Sequence, residues 1–178
     1  RSHFVNRRLS KLKAFGIFEV VDTPCYTLKL MTATAHALVG GAIAASISNP
    51  AIGLPLAALS HPLLDMIPHW DFGWGWRTKN KFILTLQSAL DFLIGVALAY
   101  YFFGKYVDLS YFFAAIFLSE VWDFLMFPYI AFGWKFPPFS YFYSVQHTWQ
   151  GKAKLPWGIL TQAGTVVVIS LFLHTVRF

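Results

Sequence analysis

The chain changes character at Met31, after which long apolar segments alternate with short polar ones. Apolar runs of this length predict helices, over residues 32–48, 51–67, 79–103, 109–132 and 156–175. Helices of about 20 residues span a bilayer core, so the last three have the length of membrane spans. The first two are shorter and are joined at Asn49-Pro50, which predicts either two spans of a thin bilayer or a re-entrant hairpin. The predicted fold class is all-α, a polytopic membrane helix bundle of about five apolar helices.

The composition supports membrane insertion. Of the 178 residues 57% are hydrophobic and only 12% are charged, whereas soluble domains carry about 25% charged residues. Such a composition excludes a disordered chain. The single cysteine, Cys25, excludes a small domain held together by disulfides.

The net charge of +6 raises nucleic acid as a partner, but the positions of the charges point to a membrane. If all five helices span, 12 of the 14 Lys and Arg residues lie on one side, and only Lys105 and Arg177 lie on the other. Positive residues mark the cytoplasmic side. The sequence therefore predicts a membrane protein that contacts membrane lipid, has its positive loops on the cytoplasmic side and has no nucleic-acid partner. The positive loops also carry the Trp residues of an expected interfacial belt: Trp70, Trp74, Trp76, Trp134, Trp149 and Trp157.

Residues 1–30 are basic and form a segment separate from the membrane helical domain predicted over 31–178. They carry six Lys or Arg residues against Glu19 and Asp22. Three interpretations stay open: a basic arm lying on anionic lipid, an extension upstream of a true start at Met31, or the end of a longer chain.

Candidate metal ligands are concentrated at the end of the second predicted helix. His61 and Asp65 are four residues apart, a spacing that places them on one helix face. Pro68 then turns the chain, and His69 and Asp71 follow. Imidazole and carboxylate groups are metal ligands, although a structural hydrogen bond between His61 and Asp65 would use the same residues.

Further candidates reach the same end of the bundle. His36 lies near the start of the first helix, which is antiparallel to the second, and His147 precedes the fifth helix. Asp91 and Asp123 lie inside apolar helices, where a carboxylate needs a partner. Glu120 is expected either to support the site or to pair with Lys105.

The motifs resemble those of a family of small bacterial membrane proteins identified as metal-dependent hydrolases of the inner membrane. The resemblance covers about residues 32–165 and rests on Thr34-Ala35-His36 with Gly40-Gly41, Leu59-Ser60-His61, Leu64-Asp65, Pro68-His69-Trp70-Asp71, Trp122-Asp123, and His147 ahead of 157–162. The spacing His61-x3-Asp65-x3-His69 is also distantly similar to the helical site of zinc-dependent phospholipase C. Family members often have Pro before the aspartate that Asp123 matches, and this chain has Trp122 there.

The resemblance implies a metal-activated water that attacks an ester or phosphoester, with a lipid as one possible substrate. It implies a metal site on the cytoplasmic side whose ligands are His36, His61, Asp65, Asp123 and His147, with His69 as a ligand or an orienting residue. Asp91 is expected to be a ligand or the general base. Zinc is the first choice of divalent metal, with manganese or magnesium as alternatives, and one or two ions are expected. Two other interpretations remain: a structural or interaction protein whose polar cluster locks the bundle, and a metal or proton transporter.

Overall fold

The computed structural model describes residues 32–70, 76–151 and 153–175. These residues form seven α-helices and no β-strand, which confirms the all-α prediction. The helices are α1 (Ala33–Ser46), α2 (Pro50–Asp65), α3 (Lys81–Phe103), α4 (Leu109–Ser119), α5 (Val121–Ala131), α6 (Phe139–Trp149) and α7 (Trp157–Thr175), and a 3₁₀ turn, Gly104–Tyr106, extends α3. The predictions about residues 1–30 lie outside the described residues.

Helix α1 is the centre of the bundle and packs against α2, α3, α4 and α7. Its small residues allow close approach of the neighbouring helices, as is common in lipid. A Cβ on Gly41 would lie 3.1 Å from the Cβ of Ala99, and one on Gly95 would lie 2.6 Å from the Cα of Thr34. These contacts set α1 parallel to the second half of α3, with the start of α1 beside the middle of α3.

Helix α2 returns beside α1 and is joined to α5 through a proline. Asn49 caps α2 by accepting a hydrogen bond from the backbone N–H of Ala51 at 3.0 Å. Pro62 has no N–H to offer the carbonyl four residues before it, which is that of Ala58. The indole of Trp122 donates to this carbonyl at 3.1 Å, so α5 is fixed against α2 close to His61.

The prediction of a membrane bundle of about five apolar helices is confirmed only in part, because fewer than five can span. Among the described residues, two segments are long and apolar enough to cross a membrane, Lys81–Tyr106 and Trp157–Thr175, and a third exists if α4 and α5, bent by 49°, act as one. Helix α1 has 14 residues and is about 21 Å long, short of the roughly 30 Å hydrocarbon core. The helix predicted over 109–132 is broken at Glu120, and α6 forms in a segment where only a loop was expected.

Both long segments expose apolar side chains along their length. Such a surface is typical of contact with lipid rather than water. On α3 it includes Phe82, Ile83, Leu86, Leu90, Leu93 and Ile94, and on α7 Val167, Val168, Leu171 and Phe172. The structure therefore agrees with membrane association through α3 and α7.

Candidate metal centre

His36, His61 and Asp65 form a buried group between the start of α1 and the end of α2. Each offers one ligand atom, and these atoms lie within 4.8 Å of one another. All three residues are at most 1% exposed. The i, i+4 spacing of His61 and Asp65 and the antiparallel hairpin bring them together, as predicted from the sequence.

The contact distances around Asp65 and His61 are close to the separation of neighbouring ligands around a tetrahedrally coordinated ion. Nε2 of His36 lies 3.3 Å from Oδ1 of Asp65, and Nε2 of His61 lies 3.5 Å from Oδ2 of the same carboxylate. Oδ1 of Asp123, on α5, lies 3.4 Å from Nε2 of His61. Ligands bound tetrahedrally to zinc at about 2.1 Å are about 3.4 Å apart. Asp123 therefore lies beside the group, at the distance of a neighbouring ligand from His61.

The ring of His61 is oriented by a backbone carbonyl. Nδ1 of His61 lies 2.5 Å from the carbonyl oxygen of Ser119, so Nδ1 carries a proton and Nε2 is directed at Asp65 and Asp123. Orientation of this kind is typical of histidine ligands of metals. The break at Glu120 follows from the same contact, since Ser119 ends α4 with its carbonyl turned to His61.

Gly40 allows Ser119 to come this close. A Cβ at Gly40 would lie 2.6 Å from Oγ of Ser119 and 3.0 Å from the carbonyl oxygen of Ala115. Helix α1 therefore contacts α4 at Ala115 and Ser119, and Ser119 is the residue that orients His61. A side chain at this position would separate the two helices.

The amide of Gln146 occupies the space between the ligand atoms. Its nitrogen lies 2.9 Å from Nε2 of His61, 3.2 Å from Oδ2 of Asp65 and 3.0 Å from Oδ1 of Asp123. An NH₂ group has only two hydrogens for these three acceptors. A cation at this point would satisfy all three.

His36 is the least satisfied member of the group. Its ring stacks on that of His61, with centroids 3.8 Å apart and an interplanar angle of 10°. Within the described residues, neither ring nitrogen of His36 meets the geometry of a hydrogen bond, and the polar neighbour of Nε2 is the carboxylate of Asp65, at 3.3 Å. A buried polar atom without a partner is costly, and binding an ion would remove that cost.

His69 and His147 lie outside this group. His69 is buried in the turn after α2, where Nδ1 lies 2.7 Å from the carbonyl oxygen of Ile67, and its Nε2 has no partner among the described residues. His147 stacks on Tyr143 with ring centroids 5.7 Å apart. His69 lies in the turn after α2, whereas His147 lies on α6, a helix that the sequence did not predict. Asp71 lies outside the described residues.

Asp91 also lies outside the group and holds the start of α1. The hydroxyl of Thr34 donates to Oδ1 of Asp91 at 2.7 Å, and the backbone N–H of Thr34 lies 3.4 Å from Oδ2. A carboxylate at a helix N-terminus is favourable because it meets the unpaired N–H groups there. Asp91 is therefore in contact with α1 two residues before His36.

Three residues of the site were missed by the sequence analysis. Gln146 and Gln150 both reach Asp65 from the end of α6, and Ser119 orients His61. All three are uncharged, and no motif singled them out. The one feature of the sequence that indicates the two glutamines is their spacing. They are four residues apart beside His147, which places both on one face of a helix.

The metal group lies beside the middle of α3, away from the positively charged residues at the start of that helix. Thr34 contacts Asp91, the eleventh residue of the 23-residue α3. Eleven residues of helix are about 15 Å long. The site is therefore deeper in the bundle than the positive loops with which the sequence had grouped it.

No protein-family model, curated protein or solved structure matches this chain. The resemblance to metal-dependent hydrolases therefore stays a prediction. The chemistry rests on the side chains themselves: a His/Asp group able to hold a metal ion, with Asp123 beside it.

Proposed function

We propose that this protein is a membrane-bound hydrolase that uses a divalent metal, zinc first, to cleave an ester or phosphoester. The observation that carries the proposal is the spacing of His36, His61 and Asp65, whose ligand atoms lie within 4.8 Å of one another in a buried site. Imidazole nitrogens and a carboxylate, close enough together to bind one ion, are a donor set typical of zinc sites.

Three protein ligands would leave a fourth coordination position of the ion open for water or substrate. His36, His61 and Asp65 would hold the ion, as three protein ligands do in catalytic zinc sites. Asp123 differs from them because 19% of its side chain is exposed. It lines a cavity of about 270 Å³ together with Glu120. A bound divalent ion supplies a water activated for attack, and the cavity is the route by which a substrate reaches it.

Glu120 is our choice for the group that takes the proton. It is 1% exposed, and within the described residues its Oε1 has no hydrogen-bond partner. Asp91 was expected in this role, but both of its carboxylate oxygens face Thr34. Glu120 lines the same cavity as Asp123, so it faces the space in which a substrate would lie.

One observation favours a structural role instead. Gln146 and Gln150 already donate hydrogen bonds to Asp65, so the polar cluster joins α2 to α6 without an ion. On that hypothesis the cluster locks the bundle. The two hypotheses differ in whether His36, which those amides leave without a hydrogen bond, gains a metal.

The test is hydrolysis by the purified, zinc-loaded protein in detergent. We expect release of nitrophenol from a nitrophenyl ester or from bis-nitrophenyl phosphate. Chelator should abolish this activity, and His61→Gln should lower it at least a hundredfold. His174→Gln, an exposed histidine near the end of α7, is the matched control and should keep full activity. Zinc bound at the site without hydrolysis of either substrate would overturn the proposed activity, and a site that binds no zinc would favour the structural role.

A further inference from the structure

Three neighbouring pockets that share lining residues form a groove between α3 and α5, which leads from the basic residues at the start of α3 to Asp123. Its outer part is a pocket of about 400 Å³ that contains Arg77, Lys81 and Lys135. Its inner part is the cavity of about 270 Å³ that ends at Glu120 and Asp123. A narrow section of about 30 Å³ joins them: it shares Lys81 and Ile130 with the outer pocket, and Thr85, Ser88 and Phe127 with the inner cavity. We name these parts the basic pocket and the inner cavity.

The basic pocket is suited to a phosphate group. The ammonium of Lys81 lies 4.1 Å from the ring centroid of Trp76, and the guanidinium of Arg77 lies 4.9 Å from the same ring. Lys135 lines the pocket from the other side. Basic pockets beside membrane spans, at the level of the headgroups, bind anionic lipid headgroups, and α3 is one of the two candidate spans.

The inner cavity is suited to an apolar chain. Phe92, Phe124 and Met126 line it, and an apolar cavity of about 150 Å³ is enough to bind benzene. Both helices that border it belong to candidate spans, since α5 is half of the bent pair. At its end lie Asp123 and the unpartnered oxygen of Glu120.

The length of the groove decides which part of a lipid would lie beside Asp123. Asp123 and Ala131, which lines the outer pocket, are eight residues apart on α5, or about 12 Å. A phosphate held in the basic pocket is therefore too far from Asp123 to contact it. The acyl esters of a glycerophospholipid are only a few bonds from phosphorus, so the part of the molecule that reaches Asp123 is an acyl chain.

We propose that the groove binds a glycerophospholipid, with its phosphate in the basic pocket and an acyl chain in the inner cavity. Binding of this lipid needs no metal ion and does not rest on the proposed hydrolysis.

Photo-crosslinking tests this proposal. The full chain is reconstituted in phosphatidylcholine nanodiscs with chelator and a few per cent of phosphatidylglycerol carrying a diazirine in one acyl chain. After illumination, the labelled residues are located by mass spectrometry. Met126 is the diagnostic residue, because it is 1% exposed and a lipid in the surrounding bilayer reaches it only through the inner cavity.

We expect labelling of Met126 or Phe127, and an at least tenfold loss with Ser88→Phe, which fills the cavity. Gln87→Phe, on the exposed side of α3, is the matched control and should be labelled like the wild type. The double variant Lys81→Gln/Lys135→Gln should lower the labelling severalfold, whereas Lys105→Gln at the other end of α3 should not. Inorganic phosphate at matched ionic strength should not compete.

Absence of label at Met126 and Phe127, equal labelling of the two Phe variants, or competition by inorganic phosphate would overturn the proposed lipid site.

Discussion

His61 is held by a backbone carbonyl on one side and surrounded by acidic and amide side chains on the other. The bond from Nδ1 to Ser119 leaves Nε2 free to face Asp65 and Asp123, at 3.5 and 3.4 Å. His36 completes the group without a hydrogen bond of its own among the described residues. At this scale the site is a set of acceptors without enough donors, which is the arrangement that a cation stabilises.

Asp91 and Asp123 should respond differently to the same substitution. Asp91→Asn removes the charge that faces the start of α1, and we expect it to lower the free energy of unfolding by about 1 kcal/mol with zinc affinity unchanged. Asp123→Asn should weaken zinc binding by about tenfold or more. Zinc titration and denaturant unfolding of both variants provide the check. An equal loss of zinc affinity in both would show that Asp91 belongs to the metal site.

Local spacing explains which site residues the sequence could predict. His61 and Asp65 share a helix face, and the tight turn at Asn49-Pro50 brings His36 beside them. The position of His69 depends on the path of the turn after α2, and that of His147 on a helix, α6, where a loop was expected. Gln146 was missed for the same reason, since its spacing from Gln150 indicates a shared helix face only once α6 is known to be a helix.

At the scale of the helices, the site depends on two close approaches. Helix α1 reaches the backbone of α4 at Gly40, and α5 reaches α2 through the indole of Trp122. The break between α4 and α5 was not predicted, because residues 109–132 are apolar throughout except near Glu120. The break depends on the tertiary contact of Ser119 with His61, which the local sequence does not reveal.

Gly40→Ala tests the approach of α1 to α4. The new Cβ would lie 2.6 Å from Oγ of Ser119, so we expect a loss of about 1–3 kcal/mol in unfolding free energy and weaker zinc binding. Gly164→Ala on α7 is the control, because nothing lies within 4 Å of its Cβ and Ala is favoured over Gly inside helices. Thermal unfolding with equal effects for the two variants would count against a tight contact at Gly40.

At the scale of the molecule, two long helices and a short central helix share one bundle. α3 and α7 carry exposed apolar surfaces, and α1 lies buried between them. The overall class and the membrane character were predictable from composition and apolar length. The number of spans was not, because whether a 14-residue helix such as α1 crosses a bilayer depends on its packing as well as on its apolarity.

The charges at the ends of α3 predict its orientation. Arg77 and Lys79 precede it, Lys81 is its first residue, and Lys105 is the only basic residue at its other end, so its start should face the cytoplasm. In a Cys25→Ser background, Lys105→Cys should react with an impermeant maleimide in intact cells. Lys79→Cys should react only after permeabilisation. The reverse pattern would show that the positive end faces outward.

The most direct measurement of the central claim is the zinc content of the protein purified without chelator, together with matched variants. Elemental analysis should find about one ion per wild-type chain. It should find almost none in His36→Gln or Asp65→Asn, and the wild-type content in His174→Gln. A metal-free wild type that stays metal-free after incubation with zinc, or equal zinc content in all four proteins, would contradict a metal centre at His36, His61 and Asp65.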